Sequence, residues 1–428
     1  RFPFRPMSDV LAAQARRVRA MVAHAFRTVP HYREALGRAG LTPADFRTAE
    51  DLARLPIIEP QQLQSDPERF LSKSWPAERC VAVRTGGSTG APRTILHSPP
   101  AVLRNAAHGE RDRAPYTPLV GRWGYRELVV ISGNSTAVKL HATARSAALL
   151  PRRLLVHRRH ASMLDPLEQT LGTIDEFRPD VLHSYGSYLA MLFSHLADTG
   201  RQFHRPKVVT YSSDGLPDAA RRLIQGRFGI PVFGAYQANE ALKIGFECPA
   251  HRGLHLNIDL YPLRLVDADG CDVPLGQPGE VVVSNLVNDA TVLLNYRLGD
   301  VAAIVPGPCP CGRTLPVLSF LPGRMDDLIE LPSGRMVHPQ LLRAMFALEP
   351  EVRQYQVVQR SPADLSADVV VCPGADQAAV RQRLATRLAA CFGPRARCEV
   401  RFVGAIQRTP AGKARAVIRL CRPAAQAP

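Results

Sequence analysis

The sequence has very little lysine. Only five of its 54 cationic residues are lysines (Lys73, Lys139, Lys207, Lys243 and Lys413), so the formal charge of +16 is carried by arginine. Apart from Arg152-Arg153 and Arg158-Arg159-His160, those arginines are scattered. Scattered cations make a solvated basic surface rather than a nucleic-acid groove, and they suit small polyanions such as nucleotides equally well. No basic helix interleaved with aromatic residues is present, so nucleic acid is not expected as a partner. Nor does any apolar window approach the length of a membrane span, so no membrane partner is expected. Cysteine occurs nine times, an odd number with no short repeating framework. The start, Arg1 to Ala25, alternates apolar and basic residues like an amphipathic helix, not like a secretory signal. Both features favour a reducing cytoplasm as the expected location.

What is present is length and alternation. A chain of 428 residues has room for two or three domains with substantial cores. Helical periodicity runs over Leu11–Phe26, Arg33–Ala39 and Pro43–Leu55, each stretch ended by proline or glycine. Apolar strand-like runs then alternate with helical ones. The strands are Cys80–Val83, Arg126–Ser132, Leu149–Val156, Val181–His183, Val208–Tyr211 and one starting at Pro231. Helices fall at Met163–Phe177 and Tyr188–Thr199, with another leading to Phe228. This alternation predicts a layered α/β fold with parallel strands, in which ligands gather beyond the carboxyl ends of the strands. Loops 84–93, 212–215 and 234–240 are therefore expected to face one crevice. From Gly253 the pattern becomes mainly antiparallel, with strands at Leu260–Val266, Glu280–Ser284 and Val301–Val305 and a turn at Asp269-Gly270. After Gly323 it changes again, to an α+β tail with helices at Pro339–Ala347 and Ala375–Phe392. Strands near Tyr355–Gln359, Asp368–Cys372 and Cys398–Phe402 complete that tail. The expected boundary lies near Arg324, giving domains 1–323, with an antiparallel subdomain over about 253–323, and 324–428.

One stretch stands out chemically: Thr85-Gly86-Gly87-Ser88-Thr89-Gly90-Ala91-Pro92-Arg93. Three glycines and three hydroxyl residues within six positions allow a backbone turn whose N–H groups form an anion cradle. The Walker pattern is absent, because no Gly-Lys-Ser/Thr follows at the required spacing. A flexible surface turn is the other reading of this segment alone. Further along come Ala235-Tyr236-Gln237-Ala238-Asn239-Glu240, Tyr296-Arg297-Leu298-Gly299-Asp300, Gly323-Arg324-Met325-Asp326-Asp327 and Arg408-Thr409-Pro410-Ala411-Gly412-Lys413.

In order and spacing these strings resemble the adenylate-forming superfamily of acyl-CoA synthetases, over nearly the whole chain. Within it the chain looks most like the phenylacetate-CoA ligase branch, through Thr28-Val29-Pro30-His31-Tyr32-Arg33, Glu247-Cys248, Gly253-Leu254-His255 and Cys309-Pro310-Cys311-Gly312-Arg313. The resemblance implies that a large adenylation domain is followed by a small mobile lid. It also implies activation of a carboxylic acid, an aromatic one in this branch, to an acyl-adenylate, with transfer to CoA as a thioester. ATP and Mg²⁺ are then the expected cofactors. Thr85, Gly86, Gly87, Ser88, Thr89 and Gly90 would wrap the ATP phosphates, and Glu240 would bind Mg²⁺. Ser213, Asp214, Ala235 and Tyr236 would line the adenine pocket. Asp300, assisted by Arg324, would accept hydrogen bonds from the ribose. Asp326 would be the hinge, and Lys413 would bridge the carboxylate and the α-phosphate. A homodimer is compatible with this resemblance.

Cys248, Cys309 and Cys311 with one histidine have the chemistry of a structural zinc site. The branch resemblance points to His255 as the fourth ligand, with His251 as its local rival, and two free thiols in a Pro/Gly loop remain the alternative. The other cysteines (Cys80, Cys271, Cys372, Cys391, Cys398 and Cys421) lack ligand spacing. A zinc-containing nucleic-acid-binding protein is the remote reading that the charge and these thiols allow. Three departures from the family pattern bear on the acceptor and the metal. Ala91 stands where many relatives carry lysine, and Gln237 and Asn239 flank the Mg²⁺ glutamate. Leu331-Pro332-Ser333-Gly334-Arg335-Met336-Val337-His338-Pro339 replaces the Arg-Gly loop of many CoA ligases, a loop that serves thioester formation, so an amine or a carrier protein is an alternative acceptor.

Overall fold

The computed structural model describes residues 2–85, 93–132, 138, 156–213, 215–216, 218–320, 329–333, 336–337, 339–346, 348–406 and 416–421. Its centre is one mixed sheet of 11 strands. The sheet's parallel half consists of β3 (Arg126–Ile131), β4 (His157–Ser162), β5 (Val181–Ser184), β6 (Val208–Ser212) and β7 (Val232–Ala238). These pair in the order β4-β3-β5-β6-β7. Beyond β7 every pairing is antiparallel: β8 (Leu242–Glu247), β9 (Leu254–Leu256), β13 (Val317–Phe320), β12 (Tyr296–Val305), β11 (Gly279–Val283) and β10 (Leu263–Val266). The antiparallel unit expected from Gly253 onward is thus hydrogen-bonded edge to edge with the parallel one.

The interior parallel strands bury an apolar face under helices. Leu128, Val130, Leu182 and Val209 pack against Leu171 and Ile174 of the Leu167–Phe177 helix and against Leu189, Leu192 and Phe193 of the Gly186–Thr199 helix. The amphipathic Met7–Thr28 helix and the Pro30–Arg38 helix bury Val18, Val22, Tyr32 and Leu36 against Val292–Tyr296. The Tyr32 hydroxyl donates to the Val292 carbonyl (3.1 Å) and accepts from the Leu294 N–H (2.7 Å). A second core holds the C-terminal part, where β16 (Val352–Ser361), β17 (Asp364–Val371), β18 (Arg397–Phe402) and β19 (Val417–Arg419) form a four-stranded sheet over the Gln377–Phe392 helix. No described helix is long and apolar enough to cross a membrane.

Several element expectations are corrected. Pro43–Leu55 is not one helix but two 3-10 turns, Pro43–Asp45 and Glu50–Arg54. The Asp45 carboxylate takes the Thr42 N–H, and Asp51 takes those of Arg47 and Thr48. These local caps compete with continued helix. Loop 234–240 is mostly strand, since β7 runs to Ala238. The strand expected at Leu149–Val156 falls almost wholly outside the described residues. Among the described residues the edge strand is His157–Ser162, where Arg158 pairs with Glu127 and Arg159 with Glu176. Charged edge strands resist further pairing.

Candidate active site

The glycine-rich stretch is carried by a hairpin that stands apart from the large sheet. Strand β1 (Val81–Thr85) pairs antiparallel with β2 (Arg93–His97), Thr85 opposite Arg93, in a two-stranded ladder of their own. Residues 86–92 join the two strands and lie outside the described residues, as do Asp214, Arg324, Asp326 and Lys413. The hairpin's base is latched to the turn after β7. His97 Nε2 bonds the Asn239 carbonyl (2.9 Å), and Asn239 Nδ2 donates to the Arg84 carbonyl (3.4 Å). Burial lowers the His97 pKa to about 4, so the ring is neutral near pH 7 and Nε2–H is the donor to that carbonyl.

Glu240 follows Asn239 in the turn between β7 and β8 and is buried. Its Oε1 lies 4.0 Å from the Arg93 guanidinium and 3.5 Å from the Tyr296 hydroxyl, which itself accepts from Arg93 (3.1 Å). Asn285 Nδ2 donates to the Glu240 carbonyl (2.9 Å). Burial pushes the Glu240 carboxyl above the usual carboxylate range, only partly offset by Arg93. Positive charge brought beside this carboxylate would offset that burial.

Strands β6 and β7 bring the expected nucleotide residues side by side. Ser212 is opposite Ala235, and Ser213 leaves the strand in the left-handed region (φ 73°), which turns the chain sharply at the strand's carboxyl end. The Tyr236 hydroxyl donates to Asp300 Oδ2 (2.7 Å) across to β12, with both residues buried. Ser213 thus follows the residue opposite Ala235, and Tyr236 is hydrogen-bonded to Asp300. Tyr296 and His97 have contacts here that sequence reasoning did not assign. Tyr296 begins the string that ends in Asp300, and that adjacency was its only signal. No sequence signal marks His97.

Cys248, His255, Cys309 and Cys311 form a second constellation, their ligand atoms all within 4.8 Å of one another. Cys248 Sγ is 3.7 Å from Cys309 Sγ, and Cys311 Sγ is 3.2 Å from His255 Nε2. Two thiolates on a tetrahedral zinc stand about 3.8 Å apart, so the donor set fits that ion. The other ring nitrogen, His255 Nδ1, bonds the Leu315 carbonyl (3.0 Å), leaving the Nε2 lone pair for a metal. Burial pushes the Cys248 thiol up to about 12. At Cys311 burial is the largest single influence and acts upward, but hydrogen bonds from the Arg313 backbone N–H, the Arg313 side chain, Cys309 and Cys248 together outweigh it and the thiol is lowered. His251, the rival ligand, instead places Nδ1 2.9 Å from Glu247 Oε1.

Residues 17–287 match the model of a family described as AMP-binding enzyme. A phenylacetate-coenzyme A ligase of Thermus thermophilus is 27% identical over 379 residues, 84% of this chain and 80% of that protein. Another, of Aromatoleum evansii, is 24% identical over 436 residues, 96% of this chain and 94% of that protein. Among solved structures, a 2-hydroxyisobutyryl-CoA ligase in complex with 2-HIB-AMP and CoA superposes with a TM-score of 0.66 at 20% identity, covering 97% of this chain and 91% of that one. At that identity the likeness is one of fold.

Proposed function

The chain belongs to the AMP-binding enzyme family, and on that premise we propose that it activates a carboxylic acid with ATP and then transfers the acyl group to CoA. In the first half-reaction a carboxylate oxygen attacks the α-phosphorus, the bond to the bridging oxygen breaks, and pyrophosphate leaves. In the second, the CoA thiolate attacks the acyl carbon of the adenylate and AMP leaves. The observation that carries this reading is a convergence: Glu240 beside Arg93 at the mouth of the glycine-rich hairpin, and the Tyr236–Asp300 pair next to it. The names of the two curated relatives support CoA as acceptor and an aromatic acid as substrate.

The roles follow from charge. Both reactants are anionic, so alignment and neutralisation supply most of the catalysis. Thr85 to Gly90 would cradle the phosphates, and Ser213, Asp214, Ala235 and Tyr236 would hold the adenine. Asp300 with Arg324 would take the ribose hydroxyls, and Lys413 would reach the α-phosphate from domain 324–428, which turns on domain 1–323 about Asp326. Mg²⁺ on Glu240, a hard cation suited to carboxylate and phosphate oxygens, would neutralise developing charge. Zinc on Cys248, His255, Cys309 and Cys311 would pin the loops of the antiparallel strands, which metal analysis of the purified chain tests. An amine or a carrier protein is the second reading of the acceptor, favoured by the Leu331–Arg335 departure.

Carboxylate-dependent exchange of pyrophosphate into ATP, measured across an acid panel, tests the proposal. Exchange with at least one aromatic acid is expected, and folded protein that exchanges with no acid refutes it. An acceptor screen with CoA and amines then separates the two readings. Glu240 also sets a pH dependence. Protons compete with Mg²⁺ for its carboxylate, and its raised pKa moves that competition to higher pH. The apparent KM for Mg²⁺ is therefore expected to rise as pH falls, starting above the range of an ordinary glutamate. A KM for Mg²⁺ that stays flat down to that ordinary range would remove Glu240 from metal binding.

A further inference from the structure

Cys248 is preceded by Glu247, the last residue of β8, and the buried Glu247 carboxylate ties two regions together. Its Oε2 accepts from the Gly234 backbone N–H (2.6 Å) and from Arg221 Nη2 (3.0 Å), and its Oε1 lies 2.9 Å from His251 Nδ1. Gly234 immediately precedes Ala235 and Tyr236, which pair with Phe246 and Gly245 of β8. The same stretch is held from the other side. A Cβ on Gly234 would meet the Tyr211 ring at 2.7 Å, and the Tyr211 hydroxyl accepts from Arg221 (2.9 Å). Glycine at 234 is thus dictated by the ring of Tyr211, and the backbone there has little freedom to shift.

At the other end, the turn starting at Cys248 brings His251 back to Glu247. The His251 N–H bonds the Cys248 carbonyl (3.0 Å), and His251 sits at φ 50°. The ring of His251 lies 5.6 Å from that of Phe233 on β7. The course of this turn is fixed at Cys248, which contributes one of the four clustered donors. The geometry points to Glu247 as a positioning residue through which closure of the Cys248/His255/Cys309/Cys311 cluster fixes Gly234–Tyr236, so that zinc occupancy governs nucleotide affinity. This rests on the zinc and nucleotide sites proposed above.

Equilibrium binding of ATP to the full chain, by calorimetry, tests it without turnover. Three donors converge on Glu247, and Glu247→Gln turns one acceptor into a donor among them. With zinc still bound, this variant is expected to bind ATP about tenfold more weakly, the scale of one hydrogen bond, while its affinity for the acid, measured in the same way, stays unchanged. Stripping zinc from the wild-type chain with a chelator is expected to give a similar loss. Stripping it from Glu247→Gln adds little, because both changes act through the same strut. His251→Ala, which leaves Arg221 on Glu247, gives a smaller loss in the same direction and carries the test if Glu247→Gln does not fold. Undiminished ATP affinity in a zinc-loaded variant, equal losses for ATP and acid, additive losses, or a wild-type chain without zinc would each overturn the proposal. A wild-type chain that does not bind ATP refutes the proposed function itself. Wild type that binds ATP no better than the variants overturns the strut alone.

Discussion

Glutamine at position 240 is expected to slow carboxylate-dependent pyrophosphate exchange by about 10²–10³-fold, the usual cost of removing one preorganised charge-stabilising group. The amide keeps the side chain's volume and can accept from Tyr296, but it brings no charge to a metal. Added Mg²⁺ is not expected to restore the rate, whereas Glu240→Asp, which keeps the charge, is expected to recover part of it. The loss should come without a fall in the unfolding midpoint. A carboxyl whose folded pKa is raised is a liability to the folded state above that pKa, and the liability disappears below the unfolded value. Arg93 retains its bond to Tyr296 in the variant. Exchange within about threefold of wild type would show that Glu240 is not the metal's carboxylate.

Lys413→Ala is expected to split the two half-reactions. Adenylation should fall by about 10²–10³-fold, because the lysine's charge is needed as the carboxylate meets the α-phosphate. Transfer from a supplied acyl-adenylate to CoA should fall far less, since a lysine on a moving domain serves one conformation and withdraws for the other. Single-turnover measurement of each half-reaction separates the two. Equal losses would place Lys413 in a general structural role. With only five lysines in the chain, few neighbouring residues could substitute for it.

The fold and much of the site could be read from the chain wherever local signals agree with the final structure. Leu128-Val129-Val130-Ile131 is apolar without alternation because β3 is buried on both faces, and it reads as a buried strand. Cys248, Cys309 and Cys311 offered ligand chemistry in the sequence, but the choice of His255 over His251 came from the branch resemblance, and only the fold brings the four donors together. Residues fixed by partners far along the chain were not legible. Strand β4 was hidden because its charges are neutralised by Glu127 and Glu176, so its sequence looks like a solvated loop. Strand β8 is short, and its Lys243 is satisfied by Asp112, 131 residues away. Glu247 entered the sequence reading only as the neighbour of Cys248, and its place is set by Gly234, Arg221 and His251 meeting around it. Tyr296 and Asp300 share one motif, but their partners Glu240 and Tyr236 lie on a strand and turn some 60 positions earlier.

The hairpin of β1 and β2 is a separate ladder, whereas β6 and β7 lie in the interior of the large sheet. Amides in β6 and β7 can exchange with solvent only through openings that disrupt both neighbouring strands. Those of the hairpin need only a local opening that breaks a five-residue ladder and a few latches, such as those at His97 and Thr291. The β1–β2 hairpin and the β6–β7 pair are thus expected to open as different cooperative units. A change in the hairpin ladder is therefore expected to alter exchange at β1 and β2 while leaving the amides of β6 and β7 protected.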